Sequence, residues 1–223
     1  MPQGTARMIR FAALSMAVLV AGCAGAPREV EQRAMTPQDL MPPAQTAPAD
    51  QFLAHLAAYC GKAFAGRIVA NQPASATPDP FDGKTLVMHV RGCEEPLREI
   101  RVPFHVGDDH SRTWVITRTA AGLRLKHDHR HEDGSPDVLT MYGGETTAPD
   151  DAQRQEFPVD AESVALFRRE GSDASVSNTW AMELVPAQRF VYELSRPGGR
   201  LFRVEFDLAR PVAPPPAPWG AAP

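Results

Sequence analysis

From Leu86 onward apolar and polar residues alternate with a period of two, segment after segment. Leu86, Met88 and Val90 alternate with Val87, His89 and Arg91. Val102, Phe104 and Val106 share one side, as do Trp114 and Ile116. Trp180, Met182 and Leu184, then Phe190, Tyr192 and Leu194, then Phe202, Val204, Phe206 and Leu208 repeat the pattern. Successive side chains of an extended chain point to opposite faces, so each segment is a strand with one apolar and one wet face. Parallel strands are buried on both faces and read as unbroken apolar runs, so the sheet is antiparallel. About eight to ten such strands, flanked by Gly, Pro, Asp or Asn, close into a barrel or stack as a sandwich. Arg196-Pro197-Gly198-Gly199-Arg200 and Glu132 to Asp137 have the composition of hairpin loops between them.

One helix precedes the strands. Asp50 can cap it, Phe52, Leu53, Leu56 and Tyr59 recur at helical spacing, and Gly61 stands where a left-handed terminator belongs. The expected fold is mostly β: an antiparallel up-and-down barrel or sandwich with one N-terminal helix, over residues 50–210. Composition changes on both sides of it. Residues 23–49 are rich in Pro, Ala and Gln with few large apolar side chains, and read as a disordered tether. Residues 211–223 carry Pro-Val-Ala-Pro-Pro-Pro-Ala-Pro-Trp-Gly, an extended Pro-rich tail from which Trp219 can dock back on the domain.

Ahead of the tether stand Arg7 and Arg10, the uncharged run Phe11 to Val20, and Ala21-Gly22-Cys23. The run is shorter than the roughly 20 residues a spanning helix needs, so it reads as a signal peptide. Val20-Ala21-Gly22-Cys23 resembles the lipobox of bacterial lipoprotein precursors. That resemblance implies a signal peptide over 1–22, acylation of Cys23 with palmitate-type chains, and a mature chain starting there. Buried methylenes contribute about 0.8 kcal/mol each, so several acyl chains hold a protein stably where one does not. Ala24, in place of an Asp, implies the outer membrane and its periplasmic face. The membrane is then a partner through the lipid anchor.

The formal net charge of -4 provides no basic surface for nucleic acid. Two further cysteines remain, Cys60 and Cys93, and in an oxidising compartment such a pair reads as a disulfide. A redox or metal-binding role would want a Cys-x-x-Cys spacing, which is missing.

The densest polar constellation is Leu123-Arg124-Leu125-Lys126-His127-Asp128-His129-Arg130-His131-Glu132-Asp133-Gly134. Strand alternation places His127, His129 and His131 on the face of Leu123 and Leu125, hence inside a barrel or at its mouth. Two histidines one residue apart can reach one zinc or copper, with His131, His105 or His110 as the third ligand. The alternative is a polar strand end whose imidazoles hydrogen-bond to Asp128, Glu132, Asp133 or Asp137. Gly107-Asp108-Asp109 has the composition of a hairpin turn. Gly143-Gly144 after Tyr142 reads as a strand end. There is no Gly-x-Ser-x-Gly, Ser-x-x-Lys or His-Glu-x-x-His motif and no phosphate-binding Gly-rich loop, so no catalytic residue is assigned.

A helix followed by meandering strands resembles the calycin architecture of lipocalins and fatty-acid-binding proteins. Gly61-Lys62-Ala63-Phe64 stands where those families place Gly-x-Trp, with an extra residue and Phe. The stretches Val102 to Asp109, Thr113 to Val115, Leu125 to Gly134 and Met141 to Gly144 also resemble a family of uncharacterised bacterial secreted and lipoprotein-like proteins. That resemblance implies a shared fold and no particular activity. The leading expectation is a lipid-anchored, periplasm-facing protein without enzymatic activity, whose histidine-lined mouth takes a small molecule or a metal. A metal-dependent hydrolase using the same histidines with Glu132 or Asp109 as base is the alternative. A structural partner of other envelope proteins is the third.

Overall fold

Each alternating segment is a strand in the computed structural model of the chain, which describes residues 47–74, 79–147 and 151–221. The expected signal peptide, Cys23 and almost all of the expected tether lie outside these residues. In chain order the strands are β1 (Ala63–Gln72), β2 (Leu86–His89), β3 (Glu99–Val106), β4 (Asp109–Arg118), β5 (Leu123–His129), β6 (Tyr142–Glu145), β7 (Arg154–Pro158), β8 (Thr179–Val185), β9 (Arg189–Arg196) and β10 (Arg200–Val212). They form one antiparallel sheet in the order β6-β5-β4-β3-β2-β1-β10-β9-β8-β7. First and last strands pair from Ala63 opposite Val212 to Gln72 opposite Leu201. The two edges meet where Gly144 bridges Val159 and the Asp160 N–H donates to the Gly143 carbonyl at 3.0 Å. The result is a nearly closed up-and-down barrel and not a sandwich, which disposes of the unpaired edges an open sheet would expose.

Helix α1 (Pro48–Ala57) closes the end where β1 begins, packing against β7 and β8 with Phe52, Leu53 and Leu56 fully buried. It starts two residues before Asp50. Proline suits the first helical turn, where its missing N–H costs nothing. Asp50 is therefore inside the first turn and caps nothing; it binds Arg118 of β4 instead, Nε to Oδ1 at 2.6 Å. Gly61, at φ +81°, turns the chain into β1. The Cys60–Cys93 disulfide ties this turn to the β2–β3 loop, Cα to Cα 6.2 Å.

The expectation of a single helix needs correction. A second helix, α2 (Ala161–Arg169), lies between β7 and β8, followed by a 3-10 turn at Asp173–Ser175. Its N-cap is Asp160, whose Oδ1 accepts from the Ser163 N–H at 2.8 Å. Its apolar residues Val164, Ala165, Leu166 and Phe167 are consecutive, so the helical spacing does not stand out in the sequence. Only Ser163 and Phe167, one turn apart, are buried. The reading of Gly143-Gly144 as a strand end is also corrected: both lie within β6, opposite Lys126 and Leu125 of β5. Beyond β10, the Trp219 N–H donates to the His110 carbonyl at 3.0 Å.

Candidate functional site

The end opposite α1 carries the β1–β2, β3–β4, β5–β6 and β9–β10 connections and the α2 segment. A cavity of about 430 Å³ opens there. Alternation along the strands supplies its walls: Arg112 and Trp114 from β4, His127 and His129 from β5, Tyr192, Leu194 and Arg196 from β9, and Arg200 and Phe202 from β10. Cross-strand register sets their neighbours, with Trp114 opposite His127, Arg112 opposite His129, and Arg196 opposite Arg200. Phe81, Phe167 and Leu139 come from the connecting segments.

The deep part is a stack of rings. Trp114 lies on Tyr192 at 4.5 Å between centroids and on Phe104 at 5.0 Å, and His127 lies on Tyr142 at 4.8 Å. Its polar atoms satisfy one another. His127 Nδ1 is 3.2 Å from the Tyr142 carbonyl, which can only accept, so this nitrogen carries the proton. Nε2 then accepts from the Tyr192 hydroxyl at 2.9 Å. His129 Nε2 sits 3.2 Å from the Tyr142 hydroxyl. Burial pushes His127 down to about 3, with the charge of His129 adding to the effect. Burial and then Arg112 push His129 down to about 4. Burial also raises Tyr142 to about 12 and Tyr192 well above its ordinary value. The imidazoles and phenols of the cavity floor are accordingly neutral at neutral pH.

The five histidines do not converge. His127 and His129 share the cavity, but β5 ends at His129 and His131 lies in the turn beyond. There its N–H donates to the Ser135 carbonyl, and its exposed ring faces Asp137 at 3.9 Å. Of the three along this stretch, His127 and His129 line the cavity and His131 does not. His105 alternates with the core residues Phe104 and Val106, so it faces out of the barrel. Its Nδ1 pairs with His110 Nδ1 at 2.6 Å. Among the described residues no group of three or more His, Cys, Asp or Glu side chains is placed to hold a metal ion. His127 has both ring nitrogens engaged as well. The acids expected beside the histidines do other work. Asp109 accepts from the Ser111 N–H at 2.9 Å and from Arg112 at 2.5 Å, and Glu132 is exposed in the hairpin. Imidazoles held at about 3 and about 4 are poor proton acceptors at pH 7, where a general base works best with a near-neutral pKa.

The arginines at the mouth were not singled out from the sequence, although the signal was there. Arg196 and Arg200 continue the inward series Tyr192-Leu194 and Phe202, and an evenly registered hairpin around Pro197-Gly198-Gly199 must set them face to face. Comparison of the chain with protein-family models, with curated proteins and with solved structures finds no match.

Proposed function

We propose that this chain is a lipid-anchored protein of the cell envelope, facing the periplasm, whose barrel mouth binds a small, flat, largely apolar molecule. The observation that carries the reading is the cavity itself: about 430 Å³, walled by Trp114, Trp180, Tyr142, Tyr192, Phe104 and Phe202. Binding pockets for small ligands have this size and this mixture of aromatic walls with a few polar groups. A barrel core without a ligand role would fill such a space with side chains. The lipobox ending at Cys23 and the Cys60–Cys93 disulfide, a bond favoured in oxidising compartments, support the location.

Calorimetric titration of the full-length protein with 2-naphthamide, a neutral planar probe, tests the binding site, with a detergent blank subtracted. Saturable binding is expected, and Ser175→Trp, which places a ring at the partly exposed rim, should abolish it while leaving thermal stability nearly unchanged. Binding unaffected by that substitution, or no binding, would overturn the reading of the cavity. Labelling with palmitate should disappear in Cys23→Ser, and persistent labelling would remove the anchor.

A further inference from the structure

Three arginines, Arg112, Arg196 and Arg200, line the cavity against one carboxylate, Asp137, which lies by His129 and His131. Arg112 is paired with Asp109 at 2.5 Å. Arg200 has Asp79 at 4.0 Å and donates to Asn71 Oδ1 at 2.6 Å. Arg196 has an amide acceptor but no carboxylate. Its Nε donates to the neutral Asn178 Oδ1 at 2.6 Å, and it forms no ion pair among the described residues. It also stands directly opposite Arg200 across the β9–β10 hairpin, on the cavity side of both strands. Like charges directly opposite in an antiparallel pair are destabilising. Both guanidinium groups line the cavity, beyond the aromatic floor.

A guanidinium presents a planar fork of N–H donors that matches a carboxylate two bonds at a time, and the match strengthens as water is excluded. Resting on the reading of the cavity as a ligand site, we infer that its ligand is an organic anion of one or two rings, the rings held among the aromatic side chains that line the cavity and the carboxylate received by Arg196 opposite Arg200. Ser172 and Ser175 line the same rim and offer hydroxyl donors to an oxyanion. The burial of Arg196 and the nearby charge of Arg200 lower the Arg196 pKa, the direction expected of a cation short of a counter-charge. A cavity of about 430 Å³ near the low end of the ligand-site range suits a compact acid and excludes a two-chain lipid.

The matched probes are 2-naphthoate and 2-naphthamide, which share a ring system and differ in charge. With the full-length protein, naphthoate should bind at least tenfold more tightly than the amide, and less tightly as salt is raised. Arg196→Gln should weaken naphthoate about tenfold and change the amide less than twofold. Arg196→Lys should restore part of the difference. Because Arg196→Gln also relieves the repulsion from Arg200, the ligand-free variant should melt no lower than the parent, and a given concentration of naphthoate should raise the melting temperature of the parent more than that of the variant. Amide binding with no preference for naphthoate, or a preference that survives Arg196→Gln, would overturn the anion inference and leave the cavity reading standing. Failure of both probes to bind would overturn both.

Discussion

His127 shows how much one residue type can leave open. The period of two placed it beside His129 on the apolar face, and both line one cavity. Its chemistry depends on partners far away in the chain, the Tyr142 carbonyl and the Tyr192 hydroxyl, and no local spacing announces them. The hydroxyl of Tyr192 is the donor that Nε2 requires. In Tyr192→Phe a buried acceptor is left unmade, at a cost of about 1–3 kcal/mol. Urea unfolding should show that loss with an unchanged slope. A variant as stable as the parent would mean that the bond contributes nothing net. Arg196 was legible in principle, because its inward position follows from Tyr192 and Leu194. Its lack of a carboxylate partner was not, since Asp79 reaches the mouth from the β1–β2 loop and stops at Arg200.

Strands with large alternating side chains declared themselves, and those built from small or polar residues did not. β1 is Ala-Phe-Ala-Gly-Arg-Ile-Val-Ala-Asn-Gln, and β7 buries only Gln155 and Phe157. In β1 the small residues make room: a methyl on Gly66 would lie 2.6 Å from the Phe206 ring. β6 is the extreme case, because its two glycines form the seam of the barrel. The Gly143 N–H donates to Ser163 Oγ at 2.8 Å, and Lys126 of β5 reaches over to Asp160 at 2.9 Å and Glu162 at 3.0 Å. The start of α2 thereby fastens the last gap in the sheet. A methyl on Gly144 would coincide with the Pro158 carbonyl oxygen, and backbone on that side cannot rotate away as a side chain could. Gly144→Ala should cost about 3 kcal/mol or more, at the upper end of overpacking. It should also speed amide exchange at Gly143 and Asp160. Gly171→Ala, with open space around the added methyl and φ +68°, is the control, limited to the roughly 1–2 kcal/mol of a left-handed conformation. Equal losses in the two variants would show that the seam is not tight.

Closure belongs to the whole molecule. Nothing in any single strand states that β1 will pair with β10; the chain had to be followed from Ala63 to Val212 to see that a meander of ten strands returns to its start. Closing the sheet also buries histidines on both of its faces, and that couples stability to pH. Burial lowers His105 and His129 to about 4 and His127 to about 3, from an ordinary value of 6.5. His89 moves the same way, through burial and then Arg91. Below pH 6.5 the unfolded chain therefore takes up protons that the folded chain refuses, and stability must fall as pH falls. Each such imidazole can contribute up to about 1.4 kcal/mol per pH unit across the window between its two pKa values. The depressed carboxylates of Asp109 and Asp160 act later. Their stabilisation is intact above the ordinary 3.8 and is lost only as pH drops through their lower folded values. Between pH 6.5 and about 4 the decline belongs to the histidines. Urea midpoints should be level above pH 7 and drop steadily from pH 6.5 to 4.5. In His129→Gln, which keeps a polar group beside the Tyr142 hydroxyl, the slope over that interval should shrink by about one proton. A midpoint that stays level down to pH 4.5 would mean that the imidazoles are solvated and that the barrel mouth is open to water at its floor.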